Sequence, residues 1–138
     1  MAKKARDIMT GSPECAGEKD SIIDVSKKLA KLDVGAMPIC GEDDRLKGMI
    51  TDRDIAVRVL AEDRDPRSTT AGDLAQGKPV TIGADDGIDE VIRTMSEYKV
   101  RRLPVIDGRK LIGIISQADV ANNVDEEEVG KLVDIISD

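Results

Sequence analysis

The feature that most constrains the fold of this chain is an internal duplication. The segment GSPECAGEKDSI at 11–22 aligns without gaps with GKPVTIGADDGI at 77–88, at an offset of 66 positions. After a one-residue difference in a turn, GMITDRDIA at 48–56 aligns with GIISQADVA at 113–121, at an offset of 65. A repeat that keeps its register over about 50 positions indicates that the same structural unit is built twice. We call the two repeats copy one and copy two.

Each copy has the same order of predicted elements, β-α-β-β-α. A short extended segment (14–17 or 80–83) precedes Asp20-Ser21 or Asp86-Gly87, which are residue types that begin helices. Apolar residues then recur at helical spacing, and these are Ile22, Val25, Leu29 and Leu32 in copy one and Ile88, Val91, Ile92 and Met95 in copy two. Two apolar runs around a charged turn predict a hairpin, and a second helix follows.

The predicted fold class is therefore α/β (α+β), with two tandem repeats. A strand, a crossover helix and a strand make a right-handed unit whose two strands are parallel. Halves of about 60 residues bury too little surface alone, so the repeats are expected to pack together with pseudo-two-fold symmetry. The predicted boundaries are 5–60 for copy one, 61–70 for a linker and 71–124 for copy two. The tail at 125–138 is predicted to be an amphipathic helix that docks on the body or on a partner.

Composition excludes several classes of protein. The net charge of −7 argues against nucleic-acid binding, which relies on basic residues that neutralise phosphates. The chain has no histidine, the usual general base and zinc ligand, and two cysteines alone cannot build a structural zinc site. We therefore expect neither catalysis nor a bound metal. The uncharged runs at 34–41 and 111–118 are too short to cross a membrane, and no apolar leader follows Met1, so a soluble cytoplasmic protein is expected.

The repeated pattern resembles a known family. Both copies carry an apolar-Pro-apolar run and then Gly-apolar-Ile-[Ser/Thr]-x-x-Asp, and the opening segment is ARDIMTGSP at 5–13. These features resemble a tandem pair of CBS (cystathionine β-synthase-type) domains, called a Bateman module, over residues 5–124. Within that family, DVGAMPICGEDDRLKGMITDRDI at 33–55 is similar to the small stand-alone bacterial hypoxic response type.

The resemblance implies a regulatory module that holds an adenosine-containing ligand, such as AMP, ADP, ATP or S-adenosylmethionine, in clefts between the repeats. In the family the motif Asp hydrogen-bonds the ribose hydroxyls and the Ser or Thr contacts phosphate. The matching residues here are Thr51 and Asp54 in copy one and Ser116 and Asp119 in copy two. The resemblance also implies a homodimer and an output through its own oligomer or through a protein partner that the sequence does not identify.

The same four residues have a structural interpretation. A hydroxyl residue with an acid three positions later is close to a capping box, which satisfies free N–H groups at a helix start. A first-turn Asp is also able to accept from two vicinal hydroxyls, so the two interpretations are compatible. Both stay open at this point.

The copies differ in charge beside this motif. Copy two has Arg101 and Arg102 where copy one has Gly35-Ala36, and copy one has Arg53 where copy two has an alanine. Arginine forks suit ligand phosphates, whereas surface salt bridges to neighbouring acids are the alternative. Either way, two sites of different charge are not expected to bind alike.

The two cysteines are predicted to be neighbours. Cys15 falls in the first strand of copy one and Cys40 at the end of its second, and adjacent parallel strands lie about 4.8 Å apart. That separation allows a disulfide if the register fits. Two buried free thiols in a reducing cytoplasm are the alternative.

Three hypotheses on function follow. The first is a non-catalytic regulatory or signalling CBS pair that binds an adenosyl ligand. The second is a structural, interaction or stress-response protein with the same fold whose pockets no longer bind nucleotide. The third is an enzyme that uses an aspartate as base on a nucleotide, which the lack of histidine disfavours.

Overall fold

The computed structural model describes residues 3–75 and 79–123. They form two compact units. The first unit is Glu14–Pro79, and the second unit combines the described parts of Met1–Pro13 and Val80–Asp138. The predicted tail at 125–138 lies outside the described residues.

The elements follow the predicted order in both copies, with two additional short helices and a short strand before the main elements. In chain order they are α1 (Ala5–Ile8), β1 (Thr10–Gly11), β2 (Ala16–Gly17), α2 (Ile22–Leu32), β3 (Ala36–Cys40), β4 (Leu46–Thr51), α3 (Asp52–Ile55) with a π-helical turn continuing it (Ala56–Leu60), α4 (Ala71–Leu74), β5 (Ile82–Gly83), α5 (Ile88–Tyr98), β6 (Arg102–Asp107), β7 (Lys110–Ser116) and α6 (Gln117–Ala121).

Each unit contains one mixed sheet. In the first unit the strand order is β2-β3-β4, with β2 and β3 parallel and β3 and β4 antiparallel. In the second unit the order is β1-β7-β6-β5, with β5 and β6 parallel and β6 and β7 antiparallel. The parallel pairs and the hairpins predicted from the sequence are confirmed. A register shift in the hairpin falls at equivalent positions, Ile39/Cys40 and Val105/Ile106.

The two long helices are built alike. Both α2 and α5 have 11 residues. Ser21 caps α2 by accepting from the Asp24 N–H at 3.1 Å, whereas Gly87 offers no side chain to cap α5. Both helices end at a residue in the left-handed region, Asp33 and Lys99, each with φ of 54°. The helical apolar spacing is confirmed, except that Leu32 at the end of α2 is 37% exposed.

Each unit has its own core, made of residues from its sheet and its long helix. The core of the first unit includes Val25, Ile39 and Ile50, all fully buried. The core of the second unit includes Val91 and Ile115, also fully buried, at positions that match Val25 and Ile50 in the repeat. With one aromatic residue in the chain, aliphatic side chains supply this packing.

The short helix at the start of each copy packs against the main elements of the other copy. Helix α1 belongs to copy one in sequence, yet the Ala5 N–H donates to the Asp86 carbonyl at 2.8 Å in the second unit. Helix α4 opens copy two, and its Ala71 N–H donates to the Asp20 carbonyl at 2.9 Å in the first unit. The spatial units therefore exchange the segments that begin the sequence repeats.

Strand β1 explains a glycine of the repeated motif. Thr10 and Gly11 pair antiparallel with Ile114 and Gly113. A Cβ atom on Gly113 would lie 2.9 Å from the Thr10 carbonyl oxygen, closer than real Cβ contacts allow. A glycine is therefore needed where the β1 backbone pairs with β7 at this close distance.

Candidate functional site

In copy one, the motif residues form a complete capping box at the junction of β4 and α3. The Asp54 N–H donates to Thr51 Oγ1 at 3.0 Å, and the Thr51 N–H donates to Asp54 Oδ2 at 3.0 Å. Both residues are half-buried. The junction is fixed on the strand side, because the Asp52 N–H donates to the Gly35 carbonyl at 2.9 Å. The cap proposed from the sequence is therefore present.

In copy two, the same box joins β7 to α6. The Asp119 N–H donates to Ser116 Oγ at 3.1 Å, and the Ser116 N–H donates to Asp119 Oδ2 at 2.9 Å. The Gln117 N–H donates to the Arg101 carbonyl at 2.8 Å, so the strand-side anchor is also repeated. In both copies the cap occupies Oδ2 of the aspartate, while Oδ1 accepts no hydrogen bond from any residue in 3–75 or 79–123.

A third capping box of this type lies outside the repeated motif. The Thr70 N–H donates to Asp73 Oδ2 at 2.9 Å and the Asp73 N–H donates to Thr70 Oγ1 at 3.2 Å, at the start of α4. The hydrogen bond from the Thr70 backbone N–H, and to a smaller extent the bond with the Thr70 side chain, hold the pKa of Asp73 below its ordinary value. Capping by itself therefore does not mark a binding residue in this chain.

A cation that the sequence reasoning missed lies beside the copy-one aspartate. Arg58 Nη1 is 4.0 Å from Asp54 Oδ1, one helical turn further along the chain. The same Nη1 donates to the Leu74 carbonyl at 2.8 Å. The signal was available, because residues four apart on a helix are neighbours and Asp54 and Arg58 have opposite charges.

The arginines predicted to contact phosphate are exposed, and two of them border the copy-two motif. Arg102 is the Cα partner of Ser116 in the β6–β7 ladder, and Arg101 is the residue whose carbonyl accepts from Gln117. Arg53 lies in the first turn of α3, where its N–H donates to Asp52 Oδ1 at 2.8 Å. None of the three side chains forms an ion pair with another described residue.

Cys15 and Cys40 form a disulfide in the first unit. Their Cα atoms are 5.7 Å apart, within the range that disulfides require. The parallel register explains the proximity, because Gly17 is opposite Cys40 and Cys15 directly precedes β2. Both cysteines are half-buried.

Next to the disulfide, Lys28 on helix α2 bonds to two residues near the start of copy one, Cys15 and Asp20. Its Nζ donates to the Cys15 carbonyl at 3.2 Å and to Asp20 Oδ2 at 3.1 Å. Burial raises the pKa of Asp20, but the Gly17 N–H bond and the Lys28 ammonium outweigh it, so this pKa lies below its ordinary value. A depression of about 270 Å³ lies over this region, lined by 17–20 and 40–42, and it does not include the motif residues.

With this geometry in place, the chain can be compared with known proteins. A family model described as "CBS domain" matches residues 5–61 and 71–126. The chain belongs to the CBS domain family. Among the described residues, no helix is both long and apolar enough to cross a membrane.

Three of these comparisons are informative. Hypoxic response protein 1 of Mycobacterium tuberculosis is 42% identical over 132 residues, which are 96% of this chain and 92% of that protein. A crystal structure of Hypoxic Response Protein I with two coordinated zinc ions matches with a TM-score of 0.83 at 42% identity, over 89% of this chain and 100% of that one. The CBS domain pair of protein MJ0100, in complex with 5′-methylthioadenosine and S-adenosyl-L-methionine, matches with a TM-score of 0.77 at 29% identity, over 88% of this chain and 95% of that one.

Proposed function

We propose that this chain is a non-catalytic regulatory protein that binds an adenosine-containing ligand through the carboxylates of its repeated motif. One observation carries the proposal. The capping boxes use only Oδ2 of Asp54 and Asp119, so a second carboxylate oxygen remains at each site to accept from ribose hydroxyls. An ionised carboxylate accepts several hydrogen bonds, so the cap and a ribose contact are compatible.

Family relationship supports the class of ligand. The MJ0100 pair, 29% identical to this chain, is described as a complex with two adenosyl compounds. The hydroxyls of Thr51 and Ser116 and the guanidinium groups of Arg53, Arg101 and Arg102 are proposed to contact the phosphate of a nucleotide ligand. With a net charge of −7, the chain offers few other cations, so AMP or a neutral adenosyl group is favoured over ATP.

Isothermal titration calorimetry with AMP, ADP, ATP and S-adenosylmethionine tests the proposal. We expect saturable binding of at least one of them, and loss of binding in the double variant Asp54→Ala/Asp119→Ala. The matched control is Asp73→Ala, which removes an equivalent capping carboxylate outside the motif and is expected to bind like the wild type. Wild-type protein that gives no binding heat at millimolar ligand would contradict the proposal.

Zinc is a separate question, because the crystal structure of Hypoxic Response Protein I is described with two coordinated zinc ions. Zinc sites in proteins are built from Cys thiolates, His nitrogens and carboxylates. This chain has no histidine, and its two cysteines are joined in the disulfide. Within 3–75 and 79–123, no three of the side chains His, Cys, Asp or Glu come together as a metal site. The side chains within the described ranges therefore do not fit zinc, and no role is derived for it.

A second candidate function is favoured by the box at Thr70–Asp73. Because an identical arrangement occurs where the family motif does not, the boxes are also consistent with a structural or stress-response protein that binds no nucleotide. That function predicts no change in melting temperature with any adenosyl ligand, since only a ligand that binds the native state raises it. Differential scanning fluorimetry with the four ligands distinguishes the two functions.

The output is proposed to pass through the protein's own oligomer or through another protein. Two large apolar side chains in the π-helical turn, Val57 and Leu60, are 47% and 59% exposed and are proposed to contribute to a homodimer in the cytoplasm. Size-exclusion chromatography with light scattering tests this, and a monomer at micromolar concentration would contradict it.

A further inference from the structure

We infer that Arg58 holds the Asp54 carboxylate of copy one, so that copy two alone, through Asp119, takes the ribose of the ligand. This inference rests on the proposed function and adds to it the site that is used and the residue that decides it. The two copies place different side chains one helical turn after the motif aspartate, Arg58 in copy one and Asn123 in copy two.

In copy one, the cation beside the aspartate is anchored. Arg58 donates through Nη1 to the Leu74 carbonyl at 2.8 Å, which fixes the guanidinium near Asp54 Oδ1, 4.0 Å away. The side chains of Arg58 and Asp54 are only 27% and 28% exposed, so water screens this attraction incompletely. Oδ1 is the oxygen that the cap leaves available, and a ribose hydroxyl would have to compete with the guanidinium for it.

In copy two, the equivalent residue is neutral and is used elsewhere. Asn123 aligns with Arg58 at the offset of 65. Its Nδ2 donates to the Asp119 backbone carbonyl at 2.7 Å, and its Oδ1 accepts from Lys3 Nζ at 2.7 Å. Both ends of the amide are therefore occupied, and no Lys or Arg among the described residues forms an ion pair with the Asp119 carboxylate.

The residues that border the motif on the neighbouring strand also favour copy two as the ligand site. Copy two places Arg101 and Arg102 next to Ser116, and arginine forks are suited to phosphate. Copy one has Gly35 there, and a Cβ atom on Gly35 would lie 3.3 Å from Asp52 Oδ2. An exposed carboxylate thus borders the copy-one motif, where water and salt screen its repulsion of an anionic ligand to a minor effect beside that of Arg58, while Gln117 replaces it in copy two.

Calorimetry with AMP at pH 7.5 tests the inference. Wild-type protein is expected to bind one AMP per chain, and Asp119→Ala to lose that binding. Arg58→Asn, which gives copy one the residue of copy two, is expected to raise the number of sites to two. In the Asp119→Ala background, Arg58→Asn is expected to restore binding at least about tenfold above Asp119→Ala alone, the usual effect of a hydrogen bond to a charged group.

The controls separate charge from folding. Arg67→Asn makes the same charge change at an exposed arginine without ion pairs among described residues, and in the Asp119→Ala background it is expected to restore nothing. Arg58→Met keeps the aliphatic stem, and is expected to act like Arg58→Asn if the asparagine variant unfolds. Wild-type binding that survives Asp119→Ala, or one site in both Arg58 variants, would overturn this inference and leave the proposed function standing. No binding by any of these proteins would overturn both.

Discussion

The two copies share a backbone plan and differ in the chemistry placed on it. Each has an 11-residue helix between two parallel strands, a hairpin with a register shift at the same position, and a capped helix after it. Four differences lie at partly exposed positions of copy one. The equivalent pairs, with the copy-one residue first, are Cys15 and Thr81, Cys40 and Ile106, Lys28 and Thr94, and Arg58 and Asn123.

The comparison shows which positions the fold holds constant. Ile50 and Ile115 are equivalent, identical and fully buried, because a change of volume in a close-packed core is costly. Half-buried positions tolerate new charges and cross-links at little cost, so duplicated sites there are able to diverge. Copy one has a disulfide and a cation beside its motif aspartate, whereas no Lys or Arg among the described residues forms an ion pair with the motif aspartate of copy two.

The largest expected effect is a loss of stability when the core isoleucine that both copies share is truncated. Ile50→Ala and Ile115→Ala each leave a cavity in a fully buried site, so each is expected to lower the free energy of unfolding by about 2–5 kcal/mol. Urea denaturation followed by circular dichroism measures this. A loss below about 1 kcal/mol in one variant would break the equivalence of the two cores.

The next largest effect is the loss of stability when the disulfide, which is present in copy one and not in copy two, is reduced. The disulfide encloses a separation of 25 residues, so its reduction is expected to lower the free energy of unfolding by about 3 kcal/mol, through the loop entropy of the unfolded chain. Urea denaturation with and without dithiothreitol measures the loss, and Cys15→Ser/Cys40→Ser, which has no bond to reduce, is the control. Free thiols found by alkylation and mass spectrometry in air-oxidised protein would contradict the expectation.

The capping boxes are expected to be alike in the two copies and in α4. Thr51→Ala, Ser116→Ala and Thr70→Ala each remove an N-cap oxygen, which costs about 1 kcal/mol. Denaturant titration of all three measures the costs, with the exposed Ser68→Ala as the control that caps no helix. If only Thr70→Ala were destabilising, the motif hydroxyls would not act as caps.

The smallest effect is the pH dependence of Asp20. Its pKa is lowered in the folded protein, so its ionised form stabilises the fold above the unfolded-state value of about 3.9, and this stabilisation is lost as the pH falls through the folded-state value. Lys28→Thr, which introduces the copy-two residue, is expected to raise this pKa. The cost at pH 7 is below about 1 kcal/mol, because both side chains are more than a third exposed and screened by water.

Carbon-detected NMR titration of the Asp20 carboxyl measures that pKa. Lys19→Thr is the matched control, since Lys19 pairs with Glu42 and not with Asp20. An unchanged Asp20 pKa in Lys28→Thr would show that the Gly17 N–H bond alone is sufficient.

Much of the fold could be predicted from the sequence, because the repeat doubled each local signal. A weak strand signal such as AMPIC gains support from RLPVI at the same place in the other copy. The exchange of α1 and α4 between units could not be predicted, since a duplicated chain offers each segment two similar docking surfaces.

The candidate site was predicted in part. The capping geometry of Thr51–Asp54 and Ser116–Asp119 follows from their spacing. The role of Arg58 did not emerge, because a charged residue on an exposed helix is ordinarily solvated, and only the Leu74 carbonyl shows that its guanidinium is held in place. That carbonyl is 16 positions away in the sequence, beyond the reach of any local pattern.

The most direct test of the account is an NMR titration of ¹⁵N-labelled wild-type protein with AMP, followed by amide chemical shifts. If copy two alone takes the ribose, the saturable shifts are largest at 116–119 and at Arg101 and Arg102, and much smaller at 51–54. Saturable shifts centred on 51–54, or none at millimolar AMP, would contradict it.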